Sequence, residues 1–152
     1  MKQLYFAALA LTAATSLRAQ ATGTDLSYAT PIGGNWSYAA TADGSEAVFN
    51  DAYAKPRLWL RCARATRRVS IALPATAAAG SINVWTSSNA RDFAASFDAT
   101  AARLSITFAP FDPMLDAVAT SRGRIGFSIA GQPPLVLPPW AEVARVVEDC
   151  RA

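Results

Sequence analysis

Residues 57–73 read RLWLRCARATRRVSIAL, and this stretch contains two runs in which apolar and polar side chains alternate. The apolar positions of the two runs are Leu58, Leu60, Cys62, Val69, Ile71 and Leu73. An alternation with a period of two is typical of a β-strand that buries one face. The stretch therefore predicts two strands, joined by a short basic turn, whose apolar faces point into a core.

The same alternation continues on both sides of this stretch. Further strands are predicted at residues Asn35–Ala40, Glu46–Phe49, Ile82–Trp85, Phe93–Phe97, Arg103–Phe108, Arg124–Ile129 and Leu135–Leu137. About eight short strands at regular spacing, without a regular strand–helix alternation, are typical of all-β architectures. We therefore expect a mainly β fold, an antiparallel β-sandwich or small barrel, with two helices.

Two segments change to a helical period. In the first, Asp112 is a good N-cap, Pro113 fits the first helical position, and Gly123 is expected to end the helix. The second is predicted to begin at Pro139. Its apolar stripe consists of Trp140, Val143, Ala144, Val147 and Cys150. We expect this stripe, including Trp140, to lie in the core.

The two cysteines, Cys62 and Cys150, have a single pairing available to them. Cys62 lies on the buried parity of its strand, and Cys150 lies on the apolar stripe of the last helix. The two periodicities place both thiols in the core, and they predict a structural disulfide between helix and sheet. Closing so long a loop stabilises a fold by roughly 4–5 kcal/mol in the chain-entropy model.

The N-terminus resembles a secretory signal peptide. Lys2 precedes the apolar stretch Leu4–Leu17, and small residues flank Gln20 in Ala19-Gln20-Ala21, where a signal peptidase would cleave. The stretch is too short to cross a hydrocarbon core of about 30 Å. We predict a cleaved signal at residues 1–21 and a single β-rich domain at residues 22–152. The protein is then periplasmic or secreted, without a membrane span after cleavage.

The positive charge of the chain is partly that of the predicted signal. The full chain has 14 Lys+Arg against 11 Asp+Glu, a net charge of +3. Cleavage after Ala21 removes Lys2 and Arg18 and no acid, which leaves 12 basic against 11 acidic residues and a net charge of +1. A global electrostatic argument for nucleic-acid binding then loses its basis, so no nucleic-acid partner is expected.

The remaining positive charge is concentrated between Lys55 and Arg68. The candidate binding residues are Arg57, Trp59, Arg61, Arg64, Arg67 and Arg68, with Trp85 on a later strand. Arginines beside an exposed indole suit phosphate or an anionic glycan. The alternative is a solvated face whose arginines pair with carboxylates of the same chain. Trp59 and Trp85 alternate with the aliphatic residues of their strands and therefore lie on the opposite face. They are either covered by a further layer of the protein or exposed for binding.

The sequence contains no histidine, which excludes Ser-His-Asp and Cys-His catalysis and imidazole metal sites. Two cysteines are too few for a Cys₄ zinc site, and the acids are scattered. We therefore predict no catalytic residue, no metal and no cofactor. The leading hypothesis is a non-enzymatic envelope or secreted protein that binds an envelope protein or an anionic glycan. The alternatives are a carboxylate-dependent glycan hydrolase and a periplasmic inhibitor or chaperone that inserts a loop or edge strand into its partner.

The C-terminal third carries a resemblance to known proteins. Its order is a helix from Asp112, a turn at Gly123, a strand, the turn Gly131-Gln132-Pro133-Pro134, a short strand and a helix that ends at Cys150. This order resembles that of the invasion-associated locus B family. In amino-acid sequence, this third is more similar to small uncharacterised exported proteobacterial proteins that end in a Trp-Ala-Glu-Val…Glu-Asp-Cys-Arg pattern. The resemblance implies a secreted or periplasmic β-rich protein acting at the envelope or in host contact, and it implies no catalytic residue. Locus B proteins tend to carry more cysteines in the middle of the chain.

Overall fold

The computed structural model describes residues 24–152. The strands of this part of the chain are β1 (Gly34–Thr41), β2 (Gly44–Asp51), β3 (Pro56–Ala63), β4 (Arg68–Pro74), β5 (Ser81–Trp85), β6 (Ala90–Ala94), β7 (Ser96–Asp98), β8 (Arg103–Phe108), β9 (Ile125–Ser128) and β10 (Leu135–Leu137). Its helices are α1 (Pro113–Ala119) and α2 (Ala141–Asp149). The predicted signal peptide lies outside the described residues.

The strands form two antiparallel sheets. The larger sheet has the order β1-β2-β3-β4-β8-β7, and the smaller has the order β10-β9-β5-β6. Their apolar faces belong to one core, in which Phe93 of β6 meets Phe108 of β8 edge to face with ring centroids 4.7 Å apart. Helix α2 packs on β1, β2 and β3. The mainly β, sandwich-like fold with two helices is therefore confirmed.

Strand β3 shows why the alternation determined the fold. Leu58, Leu60 and Cys62 are almost completely buried, whereas Trp59 is half-buried and Arg61 is exposed. Burying a leucine side chain contributes about 1.5–3 kcal/mol, so a register that turned this face to solvent would be strongly disfavoured.

One predicted strand is divided between the two sheets. The alternation from Phe93 to Phe97 predicted a single strand, but β6 pairs with β5 in the smaller sheet and β7 pairs with β8 in the larger one. Between them, the Ala95 amide donates to the carbonyl of Gly80. Phe93 and Phe97 keep the same parity because both pack against the core that the two sheets share. The prediction of one continuous strand was wrong for this reason.

Helix α1 begins as predicted and ends earlier. The Asp112 carboxylate accepts a 2.9 Å hydrogen bond from the Met114 amide, and Pro113 occupies the first turn. The helix stops at Ala119, and the Thr120 hydroxyl donates to the Asp116 carbonyl at 2.7 Å. Gly123 therefore does not end it.

Trp140 does not lie in the core. Helix α2 begins at Ala141 rather than at Pro139, and Trp140 occupies the N-cap position in an extended conformation. The helical stripe therefore does not extend to Trp140, and 42% of its surface is exposed. The buried residues of α2 are Val143, Val146 and Val147.

The predicted disulfide is present. Cys62 and Cys150 are bonded across a sequence separation of 88 residues, with their Cα atoms 5.4 Å apart and both side chains buried. The bond connects the end of α2 to the middle of the larger sheet. Within residues 24–152, the helices are all too short or too polar to cross a membrane.

Candidate functional site

The outward face of β3 carries two of the predicted arginines, and both are paired with carboxylates. Arg57 contacts Asp51 at 3.3 Å, and Arg61 contacts Asp43 at 3.0 Å. Burial raises the pKa of Asp51, but backbone amides and the Arg57 guanidinium together hold it below the usual value. The Arg61–Asp43 pair is exposed on both sides, and pairs of that kind contribute about 0–1 kcal/mol to stability, whereas the Asp51 side chain is only 12% exposed. The effect of both pairs here is to balance the local positive charge.

Trp59 lies between these arginines and is covered by a third. The guanidinium of Arg103, from β8, stacks 3.6 Å above the centre of the indole ring. A cation in this position occupies the face that a sugar or phosphate-bearing ligand would need. Trp59 is therefore not a free stacking platform in this structure.

The remaining basic candidates do not join this face as one cluster. Arg67 donates to the carbonyls of Cys150 and Arg151 at the end of α2, and Arg68 is exposed. Arg61 and Arg64 line a hollow of about 520 Å³ beside the β1–β2 turn, together with Asp43. These residues form one run in the sequence, whereas the structure distributes them over β3, the turn that follows it and the first residue of β4.

Trp85 belongs to the other sheet and is partly covered. It lies beside Gly126 on the outer face of the smaller sheet, and Leu26, which is only 3% exposed, packs over Gly126. A Cβ atom at residue 126 would lie 2.2 Å from the Leu26 Cδ1 atom. Only glycine at position 126 therefore leaves room for the Leu26 side chain to pack on the sheet.

The segment of residues 24–33, which we term the N-terminal segment, runs across the smaller sheet. The Arg124 guanidinium donates to the carbonyls of Leu26 and Ser27, and the Ile32 amide donates to the Val136 carbonyl at 2.9 Å. These bonds and the buried Leu26 hold the segment against β9 and β10. Its first described residue, Thr24, forms one wall of a cavity.

This cavity lies on the outer face of the smaller sheet and has a volume of about 380 Å³. That volume falls within the range of small-molecule sites, about 300–1,000 Å³. Its lining residues are Thr24, Ser81, Asn83, Asp92, Ser128, Ile129, Ala130, Gly131, Gln132 and Pro134. We refer to it below as the polar cavity.

Asn83 is the middle member of a row of three polar side chains that line the polar cavity. It lies on β5, directly opposite Asp92 of β6 on one side and Ser128 of β9 on the other. Its Nδ2 atom donates to Asp92 Oδ1 at 3.0 Å. Three neighbouring strands thus place an amide, a carboxylate and a hydroxyl in one row across the sheet.

Two polar atoms in this row are buried and unpaired. Asn83 Oδ1 and Ser128 Oγ both lack a hydrogen-bond partner among the described residues. A buried polar group without a partner destabilises a fold by about 1–3 kcal/mol. Such atoms are uncommon in folded proteins, and completion by a bound ligand or water is one physical reason for them. Among the described residues, Thr41 Oγ1, Ser45 Oγ and Arg151 Nη2 are also buried and unpaired, but they lie outside the polar cavity.

The lining also defines a chemistry. Asp92 and Asn83 present acceptor oxygens, and Ser128 can donate or accept. The lining contains one carboxylate and no basic side chain, and Ile129 and Pro134 add an apolar wall. This combination suits a ligand that presents hydroxyl groups along an apolar ring or chain.

Local sequence patterns do not reveal this site. The alternation around Ile82 and Val84 does place Asn83 on the outer parity, but local patterns cannot reveal that β9 lies beside β5. One usable signal was present, since amide and hydroxyl side chains occupy the outer positions of both strands.

Comparisons with protein-family models, with curated proteins and with solved structures found no match for the chain. The resemblance to locus B proteins and to small exported proteobacterial proteins stays a prediction.

Proposed function

We propose that this chain is an exported, non-enzymatic binding protein of the periplasm or the extracellular medium, and that its ligand is a small uncharged polyol or sugar held in the polar cavity. Export is supported by the predicted signal and by the buried disulfide, because disulfides persist in oxidising compartments.

The observation that carries the proposal is the pair of unpartnered atoms, Asn83 Oδ1 and Ser128 Oγ. Rotation of the Asn83 and Ser128 side chains toward the polar cavity would expose these buried atoms, and ligand hydroxyl groups could then donate to the amide oxygen and exchange a hydrogen bond with the serine. The free-energy penalty of leaving the two atoms unpaired in the free protein would be relieved on binding. The Asp92 carboxylate has a further oxygen available for another hydroxyl.

The lining favours a neutral ligand over the anionic glycan expected from the basic segment. An anion in this cavity would meet the Asp92 carboxylate without a compensating guanidinium or ammonium among the lining residues. The arginines that would recognise an anion lie on the other sheet, where Arg57 and Arg61 are already paired.

The lining also favours binding over hydrolysis. A glycosidase of the usual kind uses two carboxyl groups on opposite sides of the scissile bond. The polar cavity contains one, that of Asp92.

Calorimetric titration of the exported protein with a panel of monosaccharides, disaccharides and linear polyols tests this proposal. At least one compound is expected to bind. Asp92→Asn is expected to lower the affinity for that compound about tenfold or more, because a hydrogen bond to a charged group is lost. The matched control is Asp43→Asn, which removes an exposed carboxylate on the other sheet and is expected to leave affinity unchanged. Equal loss in both variants, or cleavage of a bound glycan, would contradict the proposal.

A further inference from the structure

Strand β1 is a long free edge of the larger sheet. It pairs with β2 over eight residues, and within residues 24–152 its other side makes no backbone hydrogen bond. At about 3.4 Å per residue, this edge extends for roughly 27 Å.

The turn to β2 determines which backbone groups point outward. Ala42 and Asp43 form a two-residue loop, so Thr41 and Gly44 are a hydrogen-bonded pair. The ladder alternates from there, and every second residue directs its N–H and C=O groups away from the sheet. The outward-facing residues are Gly34, Trp36, Tyr38 and Ala40.

This edge lacks the features that normally block strand addition. Proteins protect edges with charged residues, proline, bulges or very short strands. The sequence of β1, GNWSYAAT, contains no charge and no proline, and its register with β2 is continuous. By contrast, β7 has three residues, β6 carries Arg91 and Asp92, and the Val136 carbonyl of β10 is bonded to the N-terminal segment.

The strand is also held in its extended shape by its aromatic side chains. The Trp36 indole Nε1 donates to the Pro138 carbonyl at 2.8 Å, and the Tyr38 hydroxyl donates to Asp149 Oδ2 at 2.7 Å. A strand that is already ordered loses little conformational entropy when another strand pairs with it.

We propose that β1 pairs antiparallel with β1 of a second copy, so that the two larger sheets become one continuous sheet. We place the two-fold axis at Ser37, because this register pairs all four outward-facing residues and forms about eight backbone hydrogen bonds. It sets Trp36 beside Tyr38 of the second copy, a favourable aromatic cross-strand pair. Since the strand is uncharged, the two-fold axis brings no like charges of β1 together.

Sedimentation velocity over about 1–100 µM protein tests this pairing, because a dimer with a dissociation constant in the micromolar range would change from monomer to dimer over these concentrations. A concentration-dependent dimer is expected. Ala40→Pro removes one outward N–H and leaves the bonds to β2, and Ser37→Lys places a charge opposite its own copy. Both variants are expected to weaken the dimer at least tenfold while keeping the thermal unfolding transition of the wild type.

A cysteine cross-link tests the register. Ser37→Cys would place two thiols opposite each other across the axis, with Cα atoms about 4.5 Å apart, and is expected to give a covalent dimer. Ser70→Cys is the control, because Ser70 lies on the same outer face but within the sheet on β4. A wild type that stays monomeric overturns the proposal, as does a dimer that survives both edge variants. Neither outcome affects the polar cavity, which lies on the other sheet.

Discussion

Asn83 and Ser128 lie directly opposite each other on β5 and β9, and each buries a polar atom that no described residue pairs. Their side chains share the outer face of the smaller sheet with Asp92, and all three residues line the polar cavity. The row is therefore better suited to contacting a ligand than to stabilising the free protein.

Removal of the Ser128 hydroxyl is the most direct stability test of this interpretation. We expect Ser128→Ala to leave the free energy of unfolding unchanged or to raise it by up to about 1 kcal/mol, because an unpaired buried hydroxyl is lost. Urea denaturation of the ligand-free protein measures this, with Ser70→Ala on β4 as the control. A loss of 2 kcal/mol or more, of the order expected for a satisfied buried polar group, would show that the hydroxyl has a structural partner.

The contact between Gly126 and Leu26 predicts a coupled pair of substitutions. Gly126→Ala is expected to destabilise the fold by about 1–3 kcal/mol, because the added methyl would overlap the Leu26 side chain. In a Leu26→Ala background, the same change is expected to cost much less, and a double-mutant cycle measures the difference. If the effects of the two substitutions on the free energy of unfolding were additive, Leu26 would not pack against Gly126.

The contact between Tyr38 and Asp149 predicts a pH dependence. Burial raises the pKa of Asp149, but the Tyr38 hydrogen bond, with the charges of Arg145 and Arg64, holds it below its usual 3.8. Because the folded pKa is depressed, ionised Asp149 contributes stability above pH 3.8, and this contribution is lost as the pH falls through the folded value.

Tyr38→Phe is therefore expected to lower the free energy of unfolding by about 1 kcal/mol at neutral pH and by less in acid. Urea denaturation across the acidic range measures the difference from wild type. Tyr28→Phe is the control, because the Tyr28 side chain is 96% exposed. A difference that does not change with pH would rule out the Asp149 carboxylate as the cause.

The disulfide predicts a large change in stability on reduction. Reduction, or the double substitution of Cys62 and Cys150 by alanine, is expected to lower the free energy of unfolding by roughly 4–5 kcal/mol. Thiol labelling of the exported protein under denaturing, non-reducing conditions is expected to give no signal. Two reactive thiols would contradict the pairing.

The features that local periodicity controls were predictable from the sequence. Strand β3, the cap at Asp112 and the pairing of Cys62 with Cys150 depend on alternation, on residue type or on two patterns that agree. Trp140 was misplaced because the stripe of a helix does not show where the helix begins. Trp140 is extended and Ala141 is helical. The two prolines before them, Pro138 and Pro139, do not by themselves determine at which residue the helix begins.

The candidate site was not predictable, since it depends on which strands become neighbours. Asn83 and Ser128 meet because β9 follows a helix and returns beside β5. The basic run had the opposite outcome. Its residues are close in sequence, but alternation and turns direct Arg57, Arg64 and Arg67 to different surroundings, where carboxylates and helix carbonyls engage part of the charge.

Amide chemical shifts during a titration with sugars and polyols test the central claim most directly. We predict saturable shifts for residues 81–83, 92 and 128–132, together with loss of those shifts in Ser128→Ala while the protein stays folded. Shifts confined to the outer face of β3 around Trp59, or no saturable shift with any compound of the panel, would contradict a ligand site in the polar cavity.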